Sequence, residues 1–191
     1  QKSNNALSKV PVSIQNTADT TEQFIALTDE KGFYSQKLEK GKSYSVNVIY
    51  KGYNSFDGTI QMTDTLSLAT NQEYNIQLQK LEAGTKINLE RLYFVVSQDS
   101  LIDISLPVVE KLAKILNENP DIKIRIEGHT DNTGNSIFNA KLSLARAEKI
   151  KKLLIERGIK KNRMDAEGFG ETKPLVKNLT EEDKQMNRRV D

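Results

Sequence analysis

The sequence predicts an α+β chain: a small β-sandwich in front, then a β-α-β-α-β unit closed by a terminal helix. Two observations carry this. Up to about residue 80 the apolar residues recur with period two, and beyond it long helical patterns alternate with single strands. The change of rhythm falls at the turn "EAGTK", residues 82–86, which predicts domains over 1–83 and 84–191.

In the first domain "VPVSI", "SYSVNVIY" and "EYNIQL" alternate apolar and polar residues, as half-buried antiparallel strands do. "TDEKG", "LEKGKS" and "KGYNSFDG" between them carry the Gly, Asn and Asp of turns. In the second domain Leu106–Asn119 has Val109, Leu112 and Leu116 on one side and Lys111, Lys114 and Glu118 on the other. Ser105 stands at its N-cap, Pro107 fits only a first turn, and Asn119-Pro120 stops it. "DIKIRIEG" is a strand with Ile122, Ile124 and Ile126 inward. A second helix is expected from about Ala140 to Arg157, with Leu142, Ala145, Ile150 and Leu153 buried and Gly158 ending it. "RMDAEGFGE" reads as strand and turn, and the closing helix is capped by Thr180 with Asp183 in the capping-box position. The strands flanking the first helix are expected to pair in parallel through a crossover.

Composition excludes several function classes. The chain contains no cysteine and one histidine, so thiol nucleophiles, disulfide scaffolds and thiolate metal sites are out, and an imidazole cluster is too. Net charge is +2 without a run of one sign, which gives nucleic acid no electrostatic footprint. No apolar run approaches the roughly 18 residues of a spanning helix. The chain opens on Gln1 rather than Met, compatible with a removed leader or upstream domains.

Catalytic motifs fail on spacing. "GKS" at 41–43 has Gln36 where a phosphate loop needs glycine, and it sits between strands. "DNTGN" brings Gly134 two places early for a calcium loop, and "GFGE" lacks the third glycine of a dinucleotide fingerprint. His129 and Asp131 have triad letters with no nucleophile specified, and His129 reads as structural. The chain is therefore expected to be no enzyme and to use no cofactor or metal.

"GHTDNTGNSIFNAKLSLARA", residues 128–147, suggests different chemistry. A glycine-containing turn leads to a helix start, where free N–H groups favour a carboxylate. Arg146 on that helix can grip a carboxylate, and Asp131 in the turn can take an ammonium. Together they suit a zwitterionic group such as the free end of a diamino acid. An internal Asp131–Arg146 ion pair pinning the loop is the plainer alternative.

The string "IKIRIEGHTDNTGNSIFNAKLSLARAEKIKKLLIERGI", with "RMDAEGFGETKPLVKN" and "NRRV", resembles the OmpA-like peptidoglycan-binding domain over residues 86–191. GHTD, N-x-x-LS-x-x-RA, GxGE-x-x-P and NRRV recur in order. The resemblance implies a noncatalytic periplasmic module of an outer-membrane-associated protein. Its partner would be peptidoglycan, held through the diaminopimelate of the stem peptide by Asp131 and Arg146. It also implies Asn139, Thr133 and Leu142 in the same pocket, with Arg189 as the nearby arginine of NRRV. Asn139 is alternatively a helix cap, and Leu142 alternatively core. Where the family's first strand usually reads F-D-F-D, this chain has Phe94 followed by "VVSQDSL", with Phe94, Leu101 and Ser105 still aligned. The first domain is similar to carboxypeptidase-regulatory-like β-sandwiches through "TDEKGFYSQKLEKGKSYSVNVIYKGY", which implies a spacer or a contact module for envelope proteins. The alternative function is an interaction module of an envelope secretion or motor assembly, with wall contact secondary.

Overall fold

The computed structural model describes residues 5–63, 73–82, 84, 92, 94 and 105–191. The chain divides into two compact units, Gln1–Ala83 and Gly84–Asp191. Its folds are of the mixed α+β class, with a β-sheet in the first unit.

The first unit holds β1 (Pro11–Asn16), β2 (Gln23–Leu27), β3 (Ser43–Val48) and β4 (Phe56–Gln61) in one antiparallel sheet of order β2-β1-β3-β4. β1 and β3 alternate half-buried and buried residues, so Val12, Ile14, Tyr44, Val46 and Val48 line one face. Register puts Ile14 opposite Val46 and Asn16 opposite Tyr44. The Tyr44 hydroxyl, fully buried, donates to Glu22, which also accepts from Asn16 and Lys42. Two sequence expectations change here. "FDG" belongs to β4, because Phe56–Gln61 completes the ladder on β3. "EYNIQL" forms no ladder among the described residues; it lays Tyr74, Ile76 and Leu78 on the core, the Tyr74 carbonyl accepts from the Tyr34 hydroxyl, and just beyond it Lys80 makes an isolated bridge with Tyr53.

The second unit contains α1 (Leu106–Glu118), β5 (Ile124–Gly128), α2 (Ser136–Glu156), β6 (Met164–Gly168) and α3 (Glu181–Asn187). β5 and β6 pair in parallel across α2, in register from Ile124–Met164 to Gly128–Gly168. The strand expected before α1 lies outside the described residues except for Leu92 and Phe94, both on the core, and Leu101 lies outside too. On the other side of β5 runs the end of the chain. Glu127 and Asp191 exchange both backbone hydrogen bonds, and the His129 N–H donates to the Arg189 carbonyl.

Val109, Leu112 and Leu116 of α1 meet Ile126, Ala147, Ile150, Leu154, Ile159 and Met164 in one core. Each fully buried aliphatic side chain there contributes about 1.5–3 kcal/mol. Asn119 ends α1, and the Arg163 guanidinium donates to the carbonyls of Leu116, Asn119 and Ile122, stitching the helix end to the approach to β5. Ser105 stands before α1 in helical geometry, and its side chain makes no capping bond, unlike the sequence expectation. Thr180 and Asp183 form the expected capping box on α3.

α2 differs most from expectation. It begins at Ser136, because Asn135 caps it by accepting from the N–H groups of Ile137 and Phe138. Asn139 is therefore inside the helix and is not its cap. The buried stripe is Asn139, Ser143, Arg146, Ala147, Ile150 and Leu154, offset from the expected Leu142, Ala145 and Leu153.

Candidate ligand-binding site

Gly128 and Gly168 end the two parallel strands side by side and decide how closely α2 approaches. A Cβ on Gly128 would run into the Ser143 carbonyl, and one on Gly168 into the Leu144 backbone. Only glycine at both strand ends lets the polar half of α2 lie against the loops that follow. Ser143 then joins those loops: its hydroxyl accepts from the Gly170 N–H, and the Gly170 carbonyl accepts from the Thr130 N–H.

The loop after β5 carries His129, Thr130 and Asp131, all buried. His129 stacks on Phe169 at 5.6 Å, and neither ring nitrogen makes a hydrogen bond among the described residues. Burial, helped by the Arg189 cation against Asp191 and Glu127, pushes the imidazole pKa down to about 4. A neutral, sealed ring is a structural one, as the sequence suggested.

Asp131 holds its carboxylate between the loop backbone and Arg188. One oxygen accepts from the Thr133 N–H at 2.7 Å, the other from Arg188 Nη1 at 2.6 Å. Burial alone would raise this carboxyl, but the Thr133 N–H, the Arg188 guanidinium and the Thr133 side chain outweigh it and hold its pKa below the ordinary value. Asp131 is thus an anion at neutral pH. Arg188 also reaches Glu181 at 2.7 Å, so it spans from α3 to the loop. Gly134, at φ +95°, makes the turn that returns the chain to α2.

From α2, Asn139 Nδ2 faces the carbonyls of Asp131 and Thr133 and the Glu171 carboxylate. Arg146 lies farther along the same stripe, 5% exposed, with its guanidinium carbon 5.0 Å from the Phe94 ring centroid. Stacking on an aromatic face holds the planar guanidinium in a fixed orientation.

The sequence-derived residues are therefore distributed as follows. Asp131, Thr133 and Asn139 meet directly through hydrogen bonds, and Arg146 continues the polar stripe on which Asn139 and Ser143 stand. Leu142 is half-buried on α2 and outside the core cluster. The plainer alternative is altered, since the ion partner of Asp131 is Arg188. Of the NRRV arginines, Arg188 reaches Asp131, whereas Arg189 pairs with Asp191 and lies near the Lys173 carbonyl. Neighbours on an extended chain point opposite ways, so the sequence alone does not say which arginine faces the loop. Asn187 of the same motif is structural: its amide accepts from the N–H groups of Leu175 and Val176 and donates to Val176 O and Asn178. Glu171 and Ser143 were not singled out from sequence, and the available signal was a polar residue recurring on a helix face that should be apolar.

The OmpA family model matches residues 93–188. Outer membrane protein Omp38 of Acinetobacter baumannii is 40% identical over 114 residues, which are 59% of this chain and 32% of that protein. Peptidoglycan-binding protein ArfA of Mycobacterium tuberculosis is 35% identical over 92 residues, 48% of this chain and 28% of the relative. The chain thus spans about a third of the length of these curated relatives. The crystal structure of the peptidoglycan-associated lipoprotein from Burkholderia pseudomallei is similar with a TM-score of 0.51 and 31% identity, over 53% of this chain and 87% of that one. The C-terminal domain of Helicobacter pylori MotB gives a TM-score of 0.51 at 26% identity, over 55% and 82%.

Proposed function

This chain belongs to the OmpA family, and from that premise we propose that its second unit binds peptidoglycan without catalysis, by clamping the diaminopimelate end of a stem peptide. The observation that carries the reading is the buried polar stripe of α2. Asn139, Ser143 and Arg146 occupy positions where a helix packed for stability alone would bury aliphatic side chains. Burying a guanidinium and a carboxylate costs several kcal/mol each unless partners replace water. The charges kept there match a zwitterionic ligand, whose ammonium would lie against Asp131 and whose carboxylate would lie against Arg146. Arg188 joins the site as the cation that keeps Asp131 ionised and oriented, and it takes the place first given to Arg189.

Two relatives are peptidoglycan proteins by name, ArfA and the peptidoglycan-associated lipoprotein. Their likeness supports the same ligand class here, and Omp38 supports a periplasmic position next to the outer membrane. Among the described residues no helix is long and apolar enough to cross a membrane. A single clamp of micromolar to millimolar strength, about −8 to −4 kcal/mol, suffices when many copies face one polymer. In this reading the β-sheet unit acts as a spacer or a contact surface for envelope proteins.

The test is cosedimentation with purified peptidoglycan. The unsubstituted chain should pellet, free diaminopimelate should release it, and Asp131→Ala and Arg146→Ala should each weaken binding at least tenfold while remaining folded. A folded chain that stays in the supernatant at low salt would overturn the reading.

A further inference from the structure

Asn139 has an orientation that its neighbours decide. Its Nδ2 stands 2.6 Å from Glu171 Oε2, 3.2 Å from the Thr133 carbonyl and 3.4 Å from the Asp131 carbonyl. The two ends of a primary amide are nearly isosteric, so which end points where follows from the partners. Here every partner is an acceptor. Turning the amide over would set Oδ1 against a carboxylate oxygen and two carbonyl oxygens. The Glu171 contact is the shortest of the three and the one with a charged acceptor, which makes it the strongest anchor.

The consequence falls on the other end of the amide. Among the described residues all the side-chain hydrogen bonds of Asn139 leave from Nδ2, and none reaches Oδ1. Asn139 is only 3% exposed, and Oδ1 lies at the end of the amide opposite these three acceptors. Glu171 itself is held in place through its neighbour: the Gly170 N–H donates to Ser143 Oγ at 2.8 Å, and the Gly170 carbonyl accepts from Thr130.

We propose that Glu171 is a positioning residue for ligand binding: by holding Asn139 Nδ2 it presents Asn139 Oδ1 as a fixed acceptor for an N–H of the bound peptide. This rests on the peptidoglycan reading above and adds a residue to it. Without Glu171 the amide keeps two longer carbonyl contacts and regains freedom about its broad terminal torsion. The acceptor then has to be ordered when the ligand arrives, and affinity falls.

The experiment is calorimetric titration with a soluble L-Ala–D-Glu–diaminopimelate tripeptide, run on the unsubstituted chain, Glu171→Ala, Glu171→Gln, Asn139→Ala and the double Glu171→Ala/Asn139→Ala. Glu171→Ala should weaken binding about tenfold, the worth of one good hydrogen bond. Glu171→Gln should restore part of it, since its carbonyl can accept the same N–H. In the Asn139→Ala background, Glu171→Ala should cost nothing more, because its effect runs through Asn139. Independently of ligand, the Asn139 side-chain amide should show a downfield, slowly exchanging proton in NMR spectra that Glu171→Ala abolishes. Unchanged affinity in Glu171→Ala, or an equal further loss in the double variant, would overturn the positioning role and leave the clamp standing. Absence of tripeptide binding by the unsubstituted chain would overturn both.

Discussion

His129 illustrates how one buried residue links pH to stability. The folded protein keeps its imidazole neutral down to about pH 4, chiefly by burial. The unfolded chain protonates the same ring near its ordinary value of about 6.5. Between those values the unfolded state binds the extra proton, so stability is complete above about pH 6.5 and is lost as pH falls toward 4. The full difference amounts to about 3 kcal/mol at 1.36 kcal/mol per unit. His129→Phe keeps the stacking on Phe169 and removes the proton. Urea denaturation at pH 7, 5.5 and 4.5 should show a drop in the unsubstituted chain that is much reduced in His129→Phe. Identical pH slopes in the two proteins would show that the ring is already protonated or accessible in the folded state. The residue also shows why a lone histidine beside an aspartate is a poor guide to catalysis: neither ring nitrogen makes a hydrogen bond among the described residues, and the carboxylate near Nε2, at 3.6 Å, belongs to Asp191.

At the scale of elements, the strand ends and α2 form one construction. Gly128 and Gly168 are register partners, and a methyl on either meets α2 backbone rather than a side chain that can rotate away. Gly128→Ala should therefore lower stability by about 1–3 kcal/mol, as overpacking does. It should weaken peptidoglycan binding as well, since moving α2 moves Asn139 and Arg146. Gly134→Ala is the control. Its Cβ would meet open space, so only the left-handed backbone at φ +95° is penalised, by about 1–2 kcal/mol. Chemical denaturation gives the stability ranking and cosedimentation the binding. A Gly128→Ala protein with native stability and full binding would mean that α2 tolerates displacement. The same elements show what was legible in the sequence. β5 was, because Ile124 and Ile126 alternate cleanly, and α3 was, because its capping box is written in Thr180 and Asp183. The start and phase of α2 were not. "SIFN" exposes Ile137 and Phe138 while burying Asn139, the reverse of what hydrophobicity suggests. A helix whose inner face is partly polar cannot be phased by its apolar residues. β4 was obscured by Gly58 and Asp57, which look like a turn until the ladder with β3 supplies their partners. Asp131 and Arg146 came from charge logic joined to the string resemblance, whereas Arg188 and Glu171 needed three-dimensional adjacency.

Over the whole molecule, the two rhythms of the sequence correspond to two units, each with its own apolar cluster. One is built on Val12, Ile14, Tyr44 and Val46, the other on Leu112, Leu116, Ile126, Ile150 and Leu154. Every side chain of the candidate site comes from Gly84–Asp191, and the family match at residues 93–188 falls within the same unit. A unit of that size with its own core is within the range of independently folding domains. Residues 84–191 produced alone should accordingly unfold in a single cooperative transition and bind the tripeptide with the affinity of the full chain, within about twofold, a difference of some 0.4 kcal/mol. Calorimetry of the isolated unit and titration of both proteins with the same tripeptide are sufficient to check this. A folded 84–191 unit with affinity reduced tenfold or more would assign part of the ligand site to the β-sheet unit. Equal affinity would leave that unit the task of placing the clamp, and differences between the proteins on intact peptidoglycan would then measure placement and multivalency rather than chemistry.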